Sequence, residues 1–180
     1  MARLAGATFL LIAAASGIVA RHLPVLEPAA VVDMQQTLID SGGILEIQQS
    51  AGNVNIIGWE QPQIELTVTK STSRRFARED IDQAIAELDR IVVTTDHVGD
   101  NHVVIRTKLP SRSAYICTPR GRSKVKLQYT IKVPKQTKVI VRQETGQVSV
   151  KNITANVEVG GAPAPRGVTH RVVLARRNDA

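Results

Sequence analysis

Ser41-Gly42-Gly43-Ile44-Leu45-Glu46-Ile47-Gln48-Gln49-Ser50-Ala51-Gly52-Asn53-Val54-Asn55-Ile56-Ile57-Gly58-Trp59 is the stretch whose reading decides the fold class. Leu45 and Ile47 alternate with Glu46 and Gln48, the period of a strand with one buried face. Ala51-Gly52-Asn53 brings turn chemistry, because Gly and Asn tolerate positive φ. Val54 and Ile56 restart the alternation, and Gly58 ends it. The stretch reads as a β-hairpin, and its second arm returns as Gly146-Gln147-Val148-Ser149-Val150-Lys151-Asn152-Ile153.

The same period recurs around it. Val125, Leu127, Tyr129, Ile131 and Val133 take one face of a strand, and Lys124, Lys126, Gln128, Thr130 and Lys132 take the other, up to Pro134. Ile64, Leu66 and Val68 give a further strand, and Ile91–Thr95 and Val103–Thr107 two more, joined across Gly99-Asp100-Asn101. Val139 and Val141 lead into the second Gly unit, and Val157 and Val159 begin another. One stretch has another period. Ile81, Ala84, Ile85, Leu88 and Val92 recur at helical spacing behind Glu79 and Asp80, whose charges suit a helix N-terminus. These patterns imply a mainly β fold, with one amphipathic helix over about 78–92 packed on it. Aromatic residues make up 3% of the chain, so aliphatic rows must build the core.

The segments outside 41–159 differ. Residues 1–20 start with Arg3 and continue as an uncharged run, Leu4 to Ala20, the pattern of a signal peptide or uncleaved signal anchor. As a helix the run spans about 25 Å, slightly short of a hydrocarbon core of about 30 Å. Either reading exports the rest of the chain to the periplasm or cell envelope. Residues 21–40, with Pro24 and Pro28 and no sustained period, read as a linker. After Val159 the rhythm gives way to Gly160-Gly161-Ala162-Pro163-Ala164-Pro165. Residues 160–180 therefore read either as a Pro-rich hinge with a short capping strand at Val168–Leu174, or as a non-native tail left by a frameshift. Either way, residues 160–167 are expected to pack against nothing.

Charge is polarised. The formal net charge is +7, yet eleven Lys or Arg residues and no acid lie between Asp100 and Glu144. Such a face draws anionic partners. From Pro110 to Ser123 the chain reads as a long loop carrying Arg112, Arg120 and Arg122, and long loops in compact domains often carry function. Arg112, Arg120, Arg122, Lys124, Lys126 and Lys132 are the candidate anionic-surface contacts. Cys117, alone in the chain, excludes an intrachain disulfide and reads as a buried small hydrophobe.

Together these residues resemble a family. A Gly-initiated unit ending in Gly58-Trp59 is succeeded by a strand, an amphipathic helix and a hairpin ending in Leu109-Pro110. A strand ending in Val133-Pro134-Lys135 and the Gly146-Gln147-Val148-Ser149-Val150 unit complete the order. Over about residues 40–159 this resembles the bacterial adhesin-like β-solenoid domains of auto-transporter adhesin type. The resemblance implies a short Gly-x-Val-x-Val solenoid or sheet stack, an exported or membrane-anchored protein, and no catalytic residues.

Signatures of catalysis are absent: the sequence has no Gly-x-Ser-x-Gly elbow, phosphate loop, Cys-x-x-Cys or His-Glu-x-x-His. His97 and His102, flanking a turn, are candidate zinc ligands if they face each other, but no third ligand stands at fixed spacing. Trp59 is either a sugar-stacking platform or a cover over a strand edge. The expectation is a non-enzymatic envelope protein without cofactors, presenting a basic β surface to anionic lipid, polysaccharide or an envelope protein, with nucleic acid disfavoured. The alternative is a structural module that oligomerises through exposed β edges.

Overall fold

In the computed structural model of the chain, Leu45 and Ile47 lie in strand β2 (Ile44–Ala51), and Val54 and Ile56 lie in β3 (Asn53–Trp59). The structure describes residues 26–109, 115–119, 121–160 and 171–175. The expected hairpin is not formed. β2 pairs in parallel with β6 (His102–Lys108) and β9 (Lys138–Thr145), whereas β3 pairs in parallel with β8 (Gly121–Pro134) and β10 (Gln147–Lys151). The two strands therefore belong to different sheets, and Gly52 carries the chain from one to the other. Leu45, Ile47, Val54 and Ile56 all enter one buried cluster between the sheets.

The Gly146 unit makes a second arch on the first. β9 pairs with β2 and β10 with β3, so the two corners stack. Gly52 has φ +132° and Gly146 +128°, and a Cβ on Gly146 would stand 1.9 Å from the Gly52 carbonyl oxygen. Only glycine accommodates both the backbone angle and the approach. β11 (Val157–Gly160) pairs in parallel with β9, and β12 (Arg171–Ala175) with β10, Val172 lying in register with Val148.

The remaining strands are antiparallel additions. β1 (Glu27–Leu38) pairs with β4 (Gln63–Phe76), β4 with β8, β7 (Tyr115–Thr118) with β8, and β5 (Val92–His97) with β6. The result is a seven-stranded sheet, ordered β1-β4-β8-β3-β10-β12 with β7 also on β8, over a five-stranded sheet ordered β11-β9-β2-β6-β5. Both are mixed, and the described residues form no closed solenoid, because the chain between β3 and β8 adds antiparallel strands in place of further coils. The helix α1 (Arg78–Asp89) packs on β1, β4 and β7 and buries Ala84 and Leu88. It ends before Val92, which lies in β5 and is 49% exposed, so the stripe is shorter than expected.

Four further expectations are corrected. Residues 27–38 are not linker but β1, twelve residues long and joined to β4 by backbone pairing and by Ala29 N–H donating to Thr72 Oγ1 at 3.1 Å. Ala29-Ala30-Val31-Val32 is apolar on both faces, which hides the strand period. Residues 110–123 are not one loop, because β7 and the start of β8 pair there as antiparallel neighbours. Cys117 is exposed, since Ile116 takes the inward position of β7. Gly160 pairs within β11 instead of standing free, and β12, at the edge of its sheet among the described residues, overlaps only the second part of the expected Val168–Leu174 strand. The expected signal segment 1–20, and residues 161–170 of the expected hinge or tail, lie outside the described residues. Among the described residues no helix is long and apolar enough to cross a membrane.

Candidate functional site

The strict alternation of β8 sets the site. Leu127, Tyr129, Ile131 and Val133 are buried between the sheets, so Arg122, Lys124 and Lys126 are turned outward and exposed. Several other cations of the two sheets meet acids. Lys132 Nζ is 2.6 Å from Glu65 Oε1, Lys138 2.8 Å from Glu158, Arg142 Nε 2.8 Å from Glu46, and Arg106 2.7 Å from Asp96. Lys135 pairs with Glu60. Lys132 also lies 5.3 Å from the centre of the Trp59 ring. The alternation alone assigns Lys132 to the basic face, but Glu65 opposite it on β4 neutralises it.

Lys124 and Lys126 form no ion pair among the described residues, and Arg122 stacks 3.8 Å over the ring of Tyr115. Arg74, at the end of β4, lies against Gly121 and joins this end of the sheet. Sequence reasoning misses Arg74, although Arg74-Arg75 running into an acidic helix start is a visible charge step. Arg112 and Arg120 lie outside the described residues.

Beside the two lysines is a cavity of about 460 Å³, walled by Leu109, Val125, Leu127 and Ala51 and by the Gly52 and Gly146 corners, with Lys124 and Lys126 among its lining. No sequence pattern marks it, because its walls come from β2, β8, the end of β6 and the arch corners. On β2 and β9, Gln49 and Gln143, paired in register and buried, join by a 2.9 Å hydrogen bond from Gln49 Nε2 to Gln143 Oε1.

His97 and His102 do not converge. His97 stands opposite Val103 across the β5–β6 ladder, so His102 projects from the other face. The His97 ring is 2.7 Å from Thr37 Oγ1, and His102 Nε2 is 3.4 Å from Glu46 Oε2. Among the described residues no group of three or more His, Cys, Asp or Glu is placed to hold a metal. Glu46 is the hub of this outer face. The hydrogen bond from Gln48 holds its carboxyl below the usual carboxylate range against the opposing effect of burial, with Arg142 and His102 adding to the lowering. Trp59 donates its Nε1–H to Gln63 O at 2.9 Å beside a smaller cleft of about 190 Å³, which fits the role of a strand-edge cover.

No family model matches the chain, and no curated protein matches it. Solved structures do resemble it. A candidate cell adhesion protein of Clostridium sporogenes is 12% identical, with a TM-score of 0.38 over 80% of this chain and 68% of that one. A candidate adhesin of Bacteroides fragilis is 14% identical, with a TM-score of 0.41 over 80% of this chain and 53% of that one. A third, from Parabacteroides distasonis, is 9% identical, with a TM-score of 0.35, covering 80% and 56%. Likeness of this degree assigns no residue of this chain a role.

Proposed function

We propose that this is a non-enzymatic, exported cell-envelope protein whose stacked arches form a short solenoid-like scaffold. It presents the start of β8 to anionic envelope components. The observation that carries the reading is the pair Lys124 and Lys126, exposed side by side on one face without an ion-pair partner among the described residues, whereas Lys132 further along the same strand and Lys138 and Arg142 of β9 are matched by acids. Each such lysine contributes about 1 kcal/mol near an anionic membrane surface at physiological salt. Arg122 extends the same basic region. The test is co-sedimentation with phosphatidylglycerol-containing vesicles. The wild type binds and is released above ~0.5 M salt, where screening shortens to a few ångströms, and Lys124→Glu with Lys126→Glu abolishes binding while the thermal transition is kept. Equal binding by the double variant would end the proposal.

A second reading is assembly through a β edge, which β1 favours. It is an edge strand among the described residues. Its outward residues Val32, Met34 and Leu38 are 57%, 68% and 73% exposed, and Asp33 is turned toward Lys70. Edge strands without outward charge are prone to pair with another copy. Sedimentation velocity checks this: the apparent mass rises with concentration, and Met34→Lys holds the chain monomeric.

A further inference from the structure

A basic face that only meets a charged layer has no need of the cavity beside it. The cavity's walls are mainly apolar, from Leu109, Val125, Leu127 and Ala51, whereas the two side chains that bring charge to it are Lys124 and Lys126. The ammonium groups have no acid to satisfy them among the described residues, and the strand that holds them is fixed by burial of Tyr129 and Ile131 further along it. An apolar recess with a few polar groups at one side is the usual make-up of a small-molecule site, and about 460 Å³ lies within the usual range of such sites.

We infer that this cavity is a binding site for a single-chain anionic lipid, with the phosphate head group on Lys124 and Lys126 and the acyl chain in the recess. The inference rests on the reading of the lysine pair as an anionic contact and names its ligand class. The charge of the lysines selects an anion, and the apolar walls select a chain attached to it. A methylene occupies roughly the space of a water molecule, about 30 Å³. A recess of about 460 Å³ therefore has room for part of an acyl chain. Each methylene buried raises affinity up to about fourfold.

The test is isothermal titration of the full chain with lysophosphatidylglycerols of ten, twelve and fourteen carbons, each below its micelle concentration, and with glycerol phosphate and lysophosphatidylcholine as controls. Affinity is expected to rise several-fold with each added pair of carbons. Lysophosphatidylcholine of equal length binds at least tenfold more weakly, and glycerol phosphate weaker still. Val125→Phe, which fills the recess from a half-buried position, flattens the dependence on chain length, and Ala51→Phe does so from the opposite wall if the first variant fails to fold. Affinity independent of chain length in the wild type, or a steep dependence that survives a folded filling variant, overturns the inference. If vesicles adsorb through Lys124 and Lys126 but chain length has no effect, the surface reading stands without the cavity. If neither vesicles nor lysolipids bind, both fall.

Discussion

Gly146→Ala tests the stacked arches. At φ +128° an L side chain sits in a region that costs of order 1–3 kcal/mol. The added Cβ would also stand 1.9 Å from the carbonyl oxygen and 3.3 Å from the nitrogen of Gly52, both backbone atoms of the arch below. Neither can rotate away, so the two corners must separate and loosen the β2–β9 and β3–β10 ladders. The conformational cost and the clash together should remove at least about 3 kcal/mol, a large part of the 5–15 kcal/mol typical of a domain. Gly42→Ala is the control. It has φ +84° with nothing within 4 Å of the added Cβ, so it carries only the conformational cost, about 1–2 kcal/mol. Urea unfolding monitored by the fluorescence of Trp59, the sole tryptophan, gives both values. A loss for Gly146→Ala no larger than that for Gly42→Ala would mean that the corners are not stacked and that the arches are wrongly placed.

Other outcomes are open to measurement. Leu127→Ala, at a position only 7% exposed, should cost about 2–5 kcal/mol in the same assay, and a loss below ~1 kcal/mol would place Leu127 at the surface. Lys70, 3% exposed, is 2.5 Å from Asp33, which is one-third exposed. Asp33→Asn leaves a buried ammonium without its counter-charge and should cost about 3 kcal/mol or more, whereas Lys70→Met leaves a carboxylate that water reaches and should cost less. Because the Glu46 carboxyl is held below its ordinary value of 4.5, its contribution to stability is complete above that pH and is lost as pH falls through the lowered value. Glu46→Gln should therefore weaken the acid-induced loss of stability, and an unchanged acid limb would refute the assignment. An alkaline phosphatase fused after residue 40 should be active if Arg3 and the Leu4–Ala20 run export the chain. Amides of β12 should resist hydrogen exchange if its parallel pairing with β10 persists in solution.

Side-chain direction was legible from the residues alone. The period of 2 at 124–133 decides that Leu127 turns in and Lys124 and Lys126 turn out, whichever strands lie alongside. The helical spacing of Ile81, Ala84, Ile85 and Leu88 likewise decides that one helix covers the sheet, and the glycines mark the corners. Pairing partners were not legible. A hairpin and an arch have the same alternation and the same central turn. What separates them is whether β2 bonds to β3 or to β9, which lies far along the chain. That choice is made by burial, because an arch places Leu45 and Ile47 with Val54 and Ile56 in one core between two sheets. The same holds for the candidate sites. Glu65 neutralises Lys132 through the β4–β8 register, and the β5–β6 register sends His97 and His102 to opposite faces. The cavity beside Lys124 exists only where corners and strand ends from distant parts of the chain meet. Local period is a property of neighbouring residues, whereas register and cavities depend on contacts closed across the whole chain.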